Sequence, residues 1–128
     1  MEIWKDIENY KGLYQVSNYG NVRSLDRHVQ WKNTLVFKPS KILSQIPHTF
    51  GYTTIKLSKN GIVDGEYVHR LVAMTWIPNP NNYDCVLHKD DNPKNNHIAN
   101  LMWGTKDMNN KDMASKSRVR NQYTSIKN

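Results

Sequence analysis

Apolar and polar residues alternate through much of the first 68 positions of the chain. The alternation flanks residues 17–20, Ser-Asn-Tyr-Gly, on both sides, a pattern typical of two antiparallel strands joined by a tight turn. Residues 52–57 are rich in β-branched and aromatic side chains and predict a further strand. Residues 41–45 and 66–68 predict shorter strands, so the N-terminal half is expected to be β-rich.

The pattern changes after residue 68. Residues 69–76 predict a short helix, which the prolines at 78 and 80 would end. A β-prone run then ends at His88, an Asn-rich turn follows, and a second apolar run leads into a helix that Thr105 can cap. The predicted fold class is α+β. It has a small β-rich lobe over 1–68, a strand–strand–helix module over 69–113 and a basic tail over 114–128.

Charge narrows the class of partner. Lys and Arg total 18 against 11 Asp and Glu, for a net charge of +7, which favours a polyanion as the macromolecular partner. Cys85 is the single cysteine, so neither an internal disulfide nor a zinc finger is expected. No apolar run approaches the ~20 residues that span a bilayer, and no signal peptide is visible at the N-terminus. We therefore expect a soluble cytoplasmic protein with no membrane partner and no small-molecule cofactor.

Residues 88–112 contain the groups that phosphodiester hydrolysis requires. A neutral imidazole such as His88 can serve as a general base, because its unperturbed pKa is about 6.5. Asn109 and Asp112 are three residues apart on the predicted helix, so both oxygens can reach one cation. Mg²⁺ prefers such oxygen ligands and needs few of them, with Mn²⁺ as the alternative.

Two segments resemble a known family. Residues 4–24, from Trp-Lys-Asp-Ile through Tyr-Gln-Val-Ser-Asn-Tyr-Gly-Asn-Val-Arg-Ser, are similar to the small modular domain at the N-terminus of many phage HNH homing endonucleases. Residues 68–112 resemble the HNH module itself. The resemblance implies a ββα-metal fold, a divalent cation and double-stranded DNA as substrate. The reading module that many relatives carry at the C-terminus is not expected here.

The resemblance also implies roles for individual residues. His88 matches the general base, Asn100 the asparagine that braces the loop between the strands, and Asn109 a metal ligand on the helix. Leu87 departs from the pattern, because several branches of the family have a metal-binding Asp or Asn before the histidine. Asp112 can replace that carboxylate.

Basic residues near the site and on the N-terminal sheet are candidates for contact with DNA phosphates. Arg27, Lys32, Lys38 and Lys59 belong to this wider basic set. The DNA-contact residues that we select from the sequence are Arg23, Lys41, Lys56, Arg70 and Lys89.

Each role has a structural alternative. His88 could be an ordinary histidine at a strand end, and Asn109 and Asp112 could form a solvated helix face. The asparagines that could be turn residues are Asn95, Asn96 and Asn100. His69 is interpreted as a helix-start residue that bonds locally. The residues interpreted as core are Met74, Trp76, Leu101, Trp103 and Met108.

The favoured function is a metal-dependent endonuclease that nicks double-stranded DNA as a monomer, whereas a dimer could cut both strands. The main alternative is a DNA-binding protein whose nuclease site has decayed at Leu87. A third is a non-catalytic partner of a larger phage or host enzyme. The sequence leaves the oligomeric state open.

Overall fold

A four-stranded antiparallel sheet forms around the predicted N-terminal hairpin, with strand order β1-β2-β3-β6. The computed structural model describes residues 1–108. Val16 pairs with Val22 across the hairpin and both are buried, as the alternation predicts. The turn is closed by Gly20 N–H donating to the carbonyl of Ser17 at 3.1 Å. The strands are β1 Trp4–Asp6, β2 Tyr14–Ser17, β3 Val22–Ser24 and β6 Lys41–Ile42.

A two-stranded ribbon projects between β3 and β6. Strands β4 (Arg27–Trp31) and β5 (Thr34–Lys38) pair antiparallel. The sequence pattern did not single out this ribbon, because apolar residues occupy its exposed positions as well as its partly buried ones. Trp31 and Leu35 are both more than half exposed.

A second antiparallel sheet leads directly into the helix. Strands β7 (Ile46–Pro47), β8 (Thr53–Lys59) and β9 (Ile62–Tyr67) form the sheet in that order, and helix α1 (Val68–Trp76) follows without a loop. The strands predicted within 52–57 and 66–68 and the helix predicted over 69–76 are confirmed with small shifts of their ends.

The strand–strand unit of the predicted module is also present. Strand β10 (Cys85–His88) pairs antiparallel with β11 (Leu101–Gly104), and a short 3₁₀ helix, Ile98–Asn100, precedes β11. Residues 106–108 are helical. Met108 N–H donates to Thr105 Oγ1 at 3.1 Å, which confirms the predicted cap.

A single cluster of buried side chains joins both parts of the chain. The indole N–H of Trp76 on α1 donates to the carbonyl of Val16 on β2 at 3.2 Å. The prediction of Met74 and Met108 as core residues is wrong, since they are 51% and 36% exposed. No helix in the described part of the chain is long and apolar enough to cross a membrane. The buried apolar cluster consists of Ile7, Tyr14, Val16, Val22, Ile55, Leu57, Val68, Leu71, Val72, Ala73, Val86 and Leu101.

Candidate active site

His88 ends β10 beneath the loop that connects β10 to β11. All four residues of β10 are buried, and His88 is paired with Leu101 across the hairpin. The side chain of His88 is 8% exposed. Its Nε2 lies 2.8 Å from Oδ1 of Asn96, so this histidine is held at one nitrogen.

Asn100 closes the loop above His88. Its side-chain Nδ2 donates to Oδ1 of Asp90 and to the carbonyl of Asn95, each at 2.8 Å. Its Oδ1 accepts from the backbone N–H of Asp90 at 3.0 Å. These contacts are the bracing geometry expected for Asn100, whose effect on catalysis stays a prediction.

Asp90 is engaged within the same loop. Burial raises the pKa of Asp90, but hydrogen bonds from Asn95, the backbone of Asn92 and Asn100 outweigh it and leave the pKa below its usual value. Asp90 is therefore an ionised carboxylate that shapes the loop.

His88 is neutral at pH 7. Burial lowers the pKa of His88 below its ordinary value, while the hydrogen bond with Asn96 and the charge of Asp90 oppose this shift without reversing it. The rings of His69 and Tyr52 lie 5.1 and 5.9 Å from the His88 ring. A neutral imidazole in this position can accept a proton.

His69 lies in the first turn of helix α1, and the local hydrogen bond expected of it does not form at its Nδ1. Its Nδ1 has no hydrogen-bond partner among the described residues, and its ring stacks on Tyr52 at 4.9 Å. Burial lowers the pKa of His69 to about 3, with smaller contributions from His88 and Arg70. No pattern in the sequence indicates that His69 lies beside His88, because the junction of β9 with α1 brings them together.

Asn96 is the functional neighbour that sequence reasoning did not separate from its surroundings. It is 4% exposed and is the hydrogen-bond partner of His88. Asn92, Asn95 and Asn96 look alike in a polar turn. The distinguishing feature of Asn96 is its contact with Gly20, which is distant in sequence.

The described residues do not by themselves form a metal site. Among them, no group of three or more His, Cys, Asp or Glu side chains could hold a metal ion. Leu87 has no donor atom, and its Cδ1 lies 2.9 Å from the position that a Cβ on Gly104 would take, beside Met108. The predicted ligands Asn109 and Asp112 lie outside the described residues.

The predicted DNA-contact residues occupy different settings. Lys41 and Lys56 are exposed and line one groove of about 520 Å³. Arg23 donates to Oε1 of Gln15 and stacks on the ring of Trp4. The groove is lined by Tyr14, Ser24, Leu25, Arg27, Val36, Phe37, Lys38, Pro39, Lys41, Leu43 and Lys56.

Two more of the predicted DNA-contact residues lie near β10. Arg70 donates to the carbonyl of Asp84 at 2.9 Å, next to the start of that strand. Lys89 is exposed directly after His88. The structure thus brings Lys41 and Lys56 together in the groove and leaves Arg23, Arg70 and Lys89 outside it.

Comparison with known proteins shows that the chain is similar to HNH endonucleases. Residues 2–58 match the NUMOD4 motif. The chain is 38% identical over 130 residues to the DNA endonuclease I-HmuI of Bacillus phage SP01, covering 98% of this chain and 67% of that protein. An uncharacterized HNH endonuclease of Acanthamoeba polyphaga mimivirus is 39% identical over 85 residues, which cover 60% of this chain and 26% of that protein.

A solved structure gives the same result for the fold. The solved structure is that of DNA binding and cleavage by the HNH homing endonuclease I-HmuI. It superimposes on this chain with a TM-score of 0.74 at 35% sequence identity. It covers 92% of this chain, and this chain spans 61% of that one. The hairpin whose first strand ends in His88, the NUMOD4 motif and the similarity to I-HmuI over nearly the whole chain lead to one conclusion: the chain belongs to the HNH endonuclease family, among relatives of the phage homing type.

Proposed function

We propose that this chain is a metal-dependent DNA endonuclease that nicks double-stranded DNA by hydrolysis, with His88 as the general base. The observation that carries the proposal is a neutral imidazole at a strand end, held at Nε2 by Asn96 under a braced loop. Membership of a family whose phage relative is named a DNA endonuclease supports the substrate class. The action would take place in the cytoplasm of a bacterial host.

His88 would accept a proton from an attacking water. As the oxygen of that water bonds to phosphorus, the bond from phosphorus to the leaving sugar oxygen breaks, and that oxygen gains a proton from solvent. The low pKa of His88 keeps the base unprotonated at neutral pH. A positioned base of this kind typically contributes ~10²–10⁴-fold in rate.

Asn109 and Asp112 are the proposed ligands of a divalent cation, Mg²⁺ foremost. Such an ion would neutralise charge on the phosphate and assist the leaving oxygen. Oxygen ligands are the type that Mg²⁺ requires. Because Leu87 has no lone pair, Asp112 would supply the carboxylate that position 87 lacks.

The groove that contains Lys41 and Lys56 is the proposed phosphate contact of the N-terminal lobe. Lys38 and Arg27 line the same groove, and the buried Nε of Arg27 has no hydrogen-bond partner among the described residues. Several cations in one groove suit the phosphates of a duplex. Arg23, Arg70 and Lys89 are proposed as further contacts, with Lys89 beside the base.

A second function has one observation in its favour. Leu87 and Met108 both lie within 4 Å of the position that a Cβ on Gly104 would take, on the side of the hairpin where the helix begins. An apolar contact there favours a DNA-binding protein that has lost its nuclease activity. Such a protein would bind duplex DNA without cutting it.

A plasmid assay separates the two functions. Supercoiled plasmid is incubated with the protein in Mg²⁺, in Mn²⁺ and in excess chelator, and the duplex affinity is measured in parallel. The endonuclease proposal predicts conversion to the open-circular form only when the metal is present. Duplex binding with no cleavage in either metal would refute it and favour the decayed site.

A further inference from the structure

Asn96 joins the candidate base to the N-terminal lobe. Its Oδ1 lies 2.8 Å from Nε2 of His88, and its Nδ2 lies 3.5 Å from Oγ1 of Thr53 on β8. The Cβ and carbonyl of Asn96 lie so close to Gly20 that a Cβ on that glycine would sit 2.8–2.9 Å from them. Asn96 is therefore clamped between the NUMOD4 segment and His88.

A chain of hydrogen bonds fixes which way the amide of Asn96 faces. The carbonyl of Gly20 can only accept, and Nε2 of Gln45 donates to it at 2.8 Å. The Oε1 of Gln45 then faces Thr53 and accepts from its hydroxyl at 2.9 Å. The hydroxyl oxygen of Thr53 is left as an acceptor, which suits the Nδ2 of Asn96.

The direction of these hydrogen bonds determines which ring nitrogen of His88 carries the proton. With its Nδ2 turned toward Thr53, Asn96 presents an oxygen to His88, and only a protonated Nε2 can donate to that oxygen. We propose that Asn96 is a positioning residue that holds His88 as the tautomer protonated at Nε2, so that Nδ1 is the basic nitrogen. The tautomer is a property of the free protein, whereas its catalytic meaning rests on the proposed function.

The loop that carries Asn96 is also anchored independently of its side chain. The backbone N–H of Ile98 donates to the carbonyl of Asn18 at 3.0 Å, in the same turn as Gly20. The NUMOD4 segment thus has a role besides DNA contact, because its turn supports the orientation of the base. The other groups that face His88 are His69, Tyr52 and Asp90.

Nitrogen NMR of the free protein tests the tautomer directly. The ¹⁵N shifts of the His88 ring, assigned by comparison with His88→Ala, distinguish a protonated Nε2 from a protonated Nδ1. We expect a single neutral form with its proton on Nε2 at about pH 7.5, well above the ordinary pKa of histidine. A proton on Nδ1, or an averaged pair of tautomers, would overturn the proposal.

Substitutions at Thr53 test whether its hydrogen bond with Asn96 selects the tautomer of His88. Thr53→Val removes the acceptor for Asn96, so a signal from the second tautomer should appear, while Thr53→Ser should keep the wild-type spectrum. Thr54→Val is the matched control, because the Thr54 hydroxyl contacts the carbonyl of Ile46 instead. An unchanged His88 spectrum in folded Thr53→Val would contradict the role of these hydrogen bonds in selecting the tautomer.

Asn96→Asp keeps an oxygen facing Nε2 and adds a negative charge. The proton should stay on Nε2, and the NMR-determined pKa of His88 should rise by about 1 unit or more. If that pKa does not move, Asn96 does not face His88 and the proposal fails.

Cleavage separates this proposal from the proposed function. Thr53→Val should lower the single-turnover nicking rate with duplex affinity unchanged, and Thr53→Ser should restore the rate. If the wild-type tautomer is as proposed but His88→Ala cleaves at the wild-type rate, the positioning of His88 stands and its function as the base falls.

Discussion

At the scale of single residues, two buried histidines lie side by side and both are neutral at pH 7. His69 and His88 are each 8% exposed, and their rings lie 5.1 Å apart. Burial is the main cause of the lowered pKa of each. A proton on either ring would have to be accommodated in a buried position next to the other histidine, so these residues make the fold sensitive to acid.

We expect the free energy of unfolding to decrease as the pH falls from 6.5 toward 3. In that window the unfolded chain binds a proton at His69, whereas the folded protein, with a pKa of about 3 there, does not. Between about pH 7.5 and about pH 5.5 this one group should cost roughly 1.4 kcal/mol. Urea unfolding of the wild type and of His69→Gln at the two pH values measures the difference.

The control in that experiment is the His69→Gln variant itself. It retains every carboxylate and His88, so its own loss on acidification reports the remaining groups. Equal losses in the two proteins would show that His69 titrates normally in the folded state.

Asp112 is the residue on which the metal proposal depends. Asp112→Asn should raise the Mg²⁺ or Mn²⁺ concentration for half-maximal nicking, because a neutral amide binds a hard cation less tightly than a carboxylate. Asp112→Ala should nearly stop nicking. The matched control is Asp107→Asn, a change from carboxylate to amide at a residue without a proposed metal role. An unchanged metal requirement in Asp112→Asn would remove Asp112 from the site.

The sequence predicted the strand end at His88 and the cap at Thr105, because the signals for both are local. The catalytic roles of His88 and Asn100 stay predictions. Asn96 was not distinguished from Asn95, since both are polar turn residues. Their difference arises from packing: Asn96 alone meets Gly20 and Thr53, which come from elements far away in the sequence.

At the scale of elements, the turn between β2 and β3 supports the loop between β10 and β11. Gly20 has a φ of +92° and leaves no room for a Cβ beside Asn96. Gly12 has a similar φ of +81° but has nothing within 4 Å of a Cβ. The two glycines therefore differ in packing and not in backbone conformation.

Gly20→Ala should destabilise the protein more than Gly12→Ala does. Both variants incur the backbone cost of a positive φ, roughly 1–2 kcal/mol, but only Gly20→Ala also displaces Asn96. Urea unfolding of both variants gives the comparison. Equal destabilisation would mean that the β2–β3 turn does not support the β10–β11 loop.

Elements with local signals were predicted well. The hairpin around residues 17–20, strand β8 and helix α1 each have a clear period and a turn or stop residue nearby. The ribbon β4–β5 was not identified, because its exposed apolar residues hide the alternation on which strand prediction depends.

At the scale of the whole molecule, the chain is basic and four of its cations line one groove. The net charge is +7, and the groove beside the N-terminal sheet is lined by Lys41, Lys56 and two other cations. The shared core holds this groove and the β10–β11 hairpin in one body. The sequence could not predict that arrangement, because it depends on which apolar faces meet.

Binding to duplex DNA should weaken steeply with salt. Each neutralised phosphate adds about −0.9 to the slope of log affinity against log salt concentration. Lys41→Gln and Lys56→Gln should each reduce the magnitude of that slope by about 1. The control is Lys11→Gln, an exposed lysine outside the groove. A slope that neither groove variant alters would argue against phosphate contact there.

The most direct test of the account is single-turnover nicking by His88→Ala beside the wild type, with duplex affinity measured for both. The account predicts that the variant binds duplex DNA as the wild type does but loses ~10²–10⁴-fold in the cleavage rate, because it lacks the general base. The control His28→Ala, which changes an exposed histidine on the ribbon β4–β5, should cleave normally. Wild-type cleavage by His88→Ala would contradict the central claim.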